Sequence, residues 1–259
     1  MNRIIELFQN KNSNILNIYF TAGYPQLQDT GTIIKALDSA GVDLIEIGIP
    51  YSDPLADGTT IQESGTQALE NGMSLPLLFE QIESVRSEVN CPLILMGYFN
   101  QIMQFGERQF LERCKQVGID GIILPDLPLM VYEQEYQSLF EEFKLPVSFL
   151  ITPQTSKERI LKIDSLSRSF IYMVSNASIT GAKSEISKSQ IDYFNTIQSL
   201  QLKNPRLIGF GISSPETFAT ACRYANGAII GSAFIQHLKH TDQPIEKAVI
   251  EFIKFIRSV

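Results

Sequence analysis

Ala40-Gly41-Val42-Asp43-Leu44-Ile45-Glu46-Ile47-Gly48-Ile49 contains the plan of the fold in one short run. Gly41 predicts a helix ending in a left-handed residue, and Leu44 to Ile49 predicts the strand that follows. The same order recurs at Val117-Gly118-Ile119-Asp120 ahead of a strand at Gly121–Pro125, and more loosely at Asn226-Gly227 ahead of Ala228–Gly231. Further apolar, β-rich runs predict strands at Ile15–Thr21, Pro92–Tyr98, Val147–Thr152, Phe170–Val174 and Arg206–Gly211.

The segments between these strands have helical periodicity. Leu78, Ile82, Val85 and Val89 form one apolar stripe, and Ile245, Val249, Phe252 and Ile256 form another. Ser74 before Leu75-Pro76 and Ser214-Pro215-Glu216 read as helix starts. Eight β-then-α units with short connections imply parallel strands, and eight such units close into a (β/α)₈ TIM barrel. The expectation is a single domain over 1–259, with an extra N-terminal helix around Ile4, Ile5, Leu7 and Phe8. The competing open, doubly wound sheet would place G-x-G-x-x-G after the first strand, and the sequence has none there.

Composition narrows the function. The 28 acidic residues outweigh 21 basic ones, and no Lys/Arg cluster occurs, which argues against binding nucleic acid or an anionic membrane. An anionic substrate would therefore be held by backbone amides or a helix N-terminus. Cys91, Cys114 and Cys222 are odd in number and form no C-x-x-C pair, as expected of reduced thiols. No run of 18 apolar residues and no signal-peptide pattern is present, so a cytoplasmic location is expected.

Active sites of such barrels lie at the C-terminal ends of the strands. In the strand beginning at Leu44, the isoleucines at 45, 47 and 49 share one face, which turns Leu44, Glu46 and Gly48 inward. A carboxyl group inside a packed barrel is costly unless paired, and burial raises its pKa toward a useful acid/base range. Glu46 reads either as a catalytic acid/base or as a structural ion-pair member. No inward position supplies an obvious Lys or Arg partner. Asp57 lies in the loop rich in Pro, Gly, Ser and Asp that follows, where a turn-forming role competes with a catalytic one.

Glycines follow three strands of the C-terminal third, at Gly181, Gly209/Gly211 and Gly231-Ser232. Bare amides there suit a phosphate group, although each glycine alone would also serve a turn. Tyr19, Tyr98, Tyr172 and Phe210 fall near strand ends and suit a flat aromatic substrate group. His237 and His240 read as solvated surface residues and not as a metal site.

The stretch from Ile45-Glu46-Ile47-Gly48 through Tyr51-Ser52-Asp53-Pro54-Leu55-Ala56-Asp57-Gly58 closely resembles the signature of the tryptophan synthase alpha subunit family. Phe20-Thr21-Ala22-Gly23-Tyr24-Pro25, Gly121 to Pro128, Ser175 to Gly181 and Gly209 to Ser214 extend the resemblance over nearly the whole chain. It implies retro-aldol cleavage of indole-3-glycerol phosphate to indole and glyceraldehyde 3-phosphate, a carbon–carbon lyase reaction with no cofactor in this chain. Glu46 matches the general acid/base, and Asp57 matches the carboxylate that holds the indole N–H. Tyr172 matches the residue near the glycerol part, and Gly181, Gly211, Gly231 and Ser232 match the phosphate grip. Tyr19 matches the position over the indole ring, and Thr180 the loop that closes over the site.

The resemblance further implies a beta subunit carrying pyridoxal phosphate, an alpha2beta2 heterotetramer and passage of indole between subunits. Two departures stand out: Tyr19 where many members carry Phe, and Asn176-Ala177 in place of Arg-Ser in the closing loop. A stand-alone indole-3-glycerol-phosphate lyase would share these catalytic residues, and a non-catalytic barrel that activates a beta-type partner is the reading from another class.

Overall fold

Strand β1 (Ile15–Thr21) is buried at every position and takes a parallel neighbour on each side. Residues 2–55, 57–174, 187–209 and 211–258 are described by the structure, a computed structural model. The other strands are β2 (Leu44–Gly48), β3 (Leu93–Met96), β4 (Gly121–Ile123), β5 (Val147–Ser148), β6 (Leu150–Ile151), β7 (Ile171–Val174), β8 (Arg206–Gly209) and β9 (Gly227–Ile230). Their order is β5-β4-β3-β2-β1-β9-β8-β7-β6, with every pairing parallel.

The two ends of this order, β5 and β6, are consecutive in the chain and separated only by Phe149. The expected continuous strand at Val147–Thr152 is therefore two pieces. Its first half pairs with β4 and its second with β7, because no single straight register can serve both neighbours. The Phe149 carbonyl, between the halves, accepts a hydrogen bond from the Tyr172 amide at 2.9 Å. The fifth strand thus closes the eight-unit barrel. The other strands fall where expected, most of them trimmed at the C-terminal end where the chain turns into the βα loops.

Helix α1 (Arg3–Asn10) has Asn2 as its N-cap and lies across the N-terminal end of the barrel. Ile4 is fully buried there, and Gly121 leaves it room: a methyl group on that glycine would stand 2.7 Å from Ile4 Cδ1. The amphipathic helices α2 (Asp29–Ser39), α4 (Leu75–Arg86) and α13 (Ile245–Ile256) pack together on the outside. Leu78, Ile82, Val85 and Val89 are buried as their periodicity predicts, and so are Val249, Phe252 and Ile256.

The recurring helix-end motif has a shared physical role. Gly41 and Gly118 both adopt φ of +77°, where a side chain would be strained. The residue just before each strand then clamps the neighbouring strand. Asp43 accepts from the Leu16 amide at 2.9 Å, Asp120 from Leu93 at 3.0 Å and Asn226 from Arg206 at 2.8 Å. Gly227, the looser copy, differs. Its φ is not positive; it is glycine because a methyl group there would stand 2.0 Å from the Ile15 carbonyl oxygen.

Candidate active site

Alternation along β2 turns Glu46 inward, opposite Tyr19 of β1 and Ile94 of β3 in register. The side chain is fully buried. Among the described residues its one hydrogen-bond partner is an amide: Asn17 Nδ2 donates to Oε2 at 2.8 Å, while Oε1 has none. Burial, only partly offset by the Asn17 hydrogen bond and reinforced by the charge of Asp57, raises the Glu46 carboxyl to about 8. The ion-pair alternative therefore fails. Glu46 is a carboxylic acid at neutral pH with a second protonation state within easy reach.

Asp57 is half-buried and carried by the loop after β2. Tyr98, at the N-terminus of α5 (Phe99–Phe105), donates to Asp57 Oδ2 at 3.0 Å. Gln62 of α3 (Thr59–Glu70) donates to the Asp57 carbonyl at 2.8 Å. The loop start is held as well: Gln101 Nε2 donates to the Pro50 carbonyl at 2.8 Å, and Tyr51 stacks on Tyr98 with ring centroids 5.0 Å apart. Burial raises the Asp57 carboxyl as well, and the Tyr98 hydroxyl offsets part of that rise. One carboxyl is thus sealed and held by an amide, while the other is half-buried and held by a phenol. This divergence lets neighbouring acids take different roles.

Two tyrosines wall the space above Glu46, each occupying room left by a glycine on the adjacent strand. A methyl group on Gly48 would stand 2.1 Å from the Tyr19 hydroxyl, and one on Gly209 would stand 2.4 Å from the Tyr172 hydroxyl. Gly209 therefore makes room for Tyr172. Burial, followed by negative neighbours (Asp57 and Glu46 for Tyr19, Glu46 foremost for Tyr172), pushes both phenols well up and keeps them neutral.

Gly231 and Ser232 open α12 (Ser232–Lys239), with the Tyr19 ring 3.2 Å from where a Gly231 methyl group would lie. Its N-cap residue is Gly231, which has no side chain to cap the helix, and among the described residues no side chain accepts from its first-turn N–H groups. By contrast, Ser214 and Thr217 cap α11 (Pro215–Tyr224) reciprocally. Gly211 adopts φ of +78° in the loop between β8 and α11. Thr180, Gly181 and Phe210, together with Asn176-Ala177, lie outside the described residues.

The structure thus brings together Glu46, Asp57, Tyr19, Tyr98 and Tyr172. Sequence reasoning missed Asn17, Tyr51 and Gln101. Asn17 had a signal: it is an amide between Leu16 and Ile18 in a largely apolar strand, on the same face as Tyr19. The reading of His237 as solvated needs correction. It is half-buried, its Nε2 lies 3.0 Å from the Ala248 carbonyl oxygen, and its ring packs on Phe252 because α12 and α13 are in contact. His240 is exposed. Among the described residues, no cluster of three or more His, Cys, Asp or Glu side chains could hold a metal ion, and no helix is long and apolar enough to cross a membrane.

Comparison with known proteins agrees with this fold. The family model described as tryptophan synthase alpha chain matches residues 5–259. A tryptophan synthase alpha chain of Flavobacterium psychrophilum is 54% identical over 259 residues, covering 100% of both chains. That of Flavobacterium johnsoniae is 57% identical over 241 residues, 93% of this chain and 95% of the relative. A chain of the tryptophan synthase complex from Pyrococcus furiosus superposes with a TM-score of 0.87 at 33% identity, covering 96% of this chain and 100% of that one. A family match along almost the entire sequence, relatives more than half identical and a shared barrel lead to one conclusion: this chain belongs to the tryptophan synthase alpha chain family.

Proposed function

We propose that this chain cleaves indole-3-glycerol phosphate to indole and glyceraldehyde 3-phosphate by a retro-aldol reaction, and that it works with a beta subunit. The observation that carries the reading is the buried Glu46 carboxyl, raised to about 8 beside an Asp57 carboxylate held by Tyr98. Glu46 starts protonated and gives its proton to indole C3. Asp57 accepts the indole N–H and stabilises the positive charge developing on that nitrogen. The Glu46 carboxylate then takes the C3′ hydroxyl proton as the carbon–carbon bond breaks, and the electron pair of that bond returns to the indole. The acid is restored, so the protons balance without a redox partner. Acid–base assistance of this kind contributes ~10²–10⁴ in rate.

Tyr19 and Tyr172 line the ring and glycerol parts of the substrate, and Tyr98 holds Asp57 against it. The uncapped amides of Gly231 and Ser232, with Gly211 and Gly181, suit the phosphate, and Thr180 belongs to the closing loop. The related indole-forming synthase would need an inward lysine, and the described strands contain no lysine at all.

Three exposed apolar side chains support a partner at the same face. Leu55, Met103 and Met130 follow β2, β3 and β4 and are 84%, 53% and 68% exposed. The beta subunit would carry the pyridoxal phosphate, in an alpha2beta2 heterotetramer located in the cytoplasm. Indole release from indole-3-glycerol phosphate, measured with and without a beta subunit, tests the reading. Slow release that rises sharply with the partner is expected. Fast release by the chain alone would make it a stand-alone lyase, and no release under either condition would sink the catalytic assignment.

A further inference from the structure

We propose that Asn17 is a positioning residue for Glu46, supplying a partner to both charge states of its carboxyl group and leaving Oε1 to exchange protons with substrate. Asn17 is fully buried on β1, where Ile15, Leu16, Ile18 and Phe20 are apolar and equally buried. Its Nδ2 donates to Glu46 Oε2, and its Oδ1 has no hydrogen-bond partner. Burying half an amide unpaired costs stability, and an aliphatic residue of similar size would instead leave Glu46 Oε2 unpaired. The amide's own burial therefore does not explain the residue.

Its relation to Glu46 does. The acid/base cycle needs Glu46 first neutral and then ionised. One amide N–H serves both states: it donates to Oε2 as a carboxylate oxygen, and to the same atom as the carbonyl oxygen of the neutral acid, whose proton then sits on Oε1. Among the described residues, the other polar groups facing Glu46 are Tyr19 on β1, Tyr172 on β7 and Asp57 in the loop after β2; β3 presents only Ile94. Both phenols are held neutral and Asp57 opposes ionisation, so among the described residues the Asn17 hydrogen bond is the one contact that favours the carboxylate. Pinning Oε2 also fixes the rotamer, and the unpartnered Oε1 becomes the reactive oxygen.

The kinetic part of this inference rests on the lyase reading; the titration part does not. Asn17→Leu and Asn17→Thr are compared with the parent protein. Glu46 is titrated by difference infrared spectroscopy of its carboxyl band against Glu46→Gln, and kcat and KM are measured across pH. Asn17→Leu should move the Glu46 titration upward by about one unit and carry the pH profile with it. It should lower kcat about 10-fold with KM within about twofold. Threonine, whose hydroxyl both donates and accepts, should restore part of both effects and keeps the test open if the leucine variant fails to fold.

An unmoved titration in a folded Asn17→Leu protein overturns the proposal. So does equal loss of kcat in both variants with unchanged pH profiles, which would mark a packing role. A shifted titration in a protein that releases no indole would sink the lyase reading and still support the pairing.

Discussion

At the residue scale the site depends on two carboxyl groups kept in unlike surroundings. If Glu46 must begin protonated, kcat/KM for indole-3-glycerol phosphate should fall as pH rises through about 8, and Glu46→Gln should lose activity by ~10²–10⁴ at every pH. A pH–rate profile of the alpha reaction checks both. Tyr98 acts on the other acid. Removing its hydroxyl in Tyr98→Phe takes away the contact that lowers Asp57, so the Asp57 carboxyl should rise further. We expect kcat to fall about 10-fold while the fold is kept, measured by steady-state kinetics and circular dichroism.

At the element scale, adjacent strands have to leave room for one another. Gly48 sits where Tyr19 needs space and Gly209 where Tyr172 does. Gly48→Ala should displace the Tyr19 ring, destabilise the protein by ~1–3 kcal/mol and raise KM, as shown by urea unfolding and kinetics on the same preparation. The expectation of phosphate-gripping glycines was only partly legible for this reason. Glycine signals close approach in the sequence, but it does not say whether the approaching group is a substrate or a tyrosine. Gly41 and Gly118 were legible as left-handed, because they end helices by a local rule that needs no distant partner.

At the scale of the whole molecule, the two ends of the barrel divide the work. The N-terminal end holds Asp120, which bonds Arg86 and Arg3 and the Leu93 amide, and Asp43, which bonds Lys11, Arg257 and the Leu16 amide. Asp120→Ala leaves the Arg86 guanidinium buried without its anion and should cost ~3–5 kcal/mol in urea unfolding. It should leave KM and kcat of the surviving folded protein within about twofold, since the chemistry lies at the opposite end.

Glu46 has the reverse effect on stability. Its folded-state pKa is raised from 4.5 to about 8, so the folded protein keeps a proton that the unfolded chain has already released. The stability tied to that proton is full below 4.5 and is lost as pH rises to about 8, by up to ~1.4 kcal/mol per unit. Glu46→Gln should therefore be more stable than the parent at pH 8 and gain little at pH 4, as thermal melts at the two pH values would show.

The amino-acid sequence by itself determined the eight strand positions, the inward face of Glu46, the helix stripes and the turn glycines. These follow from periodicity and backbone sterics acting within a few residues. Tertiary structure alone decided that the fifth strand breaks at Phe149, that Asn17 meets Glu46, that Tyr98 holds Asp57 and that Gly48 and Gly209 shelter tyrosines. Those pairs are 29 to 41 residues apart in the chain. A two-residue alternation states which face a side chain takes, but barrel closure and register decide what it meets there.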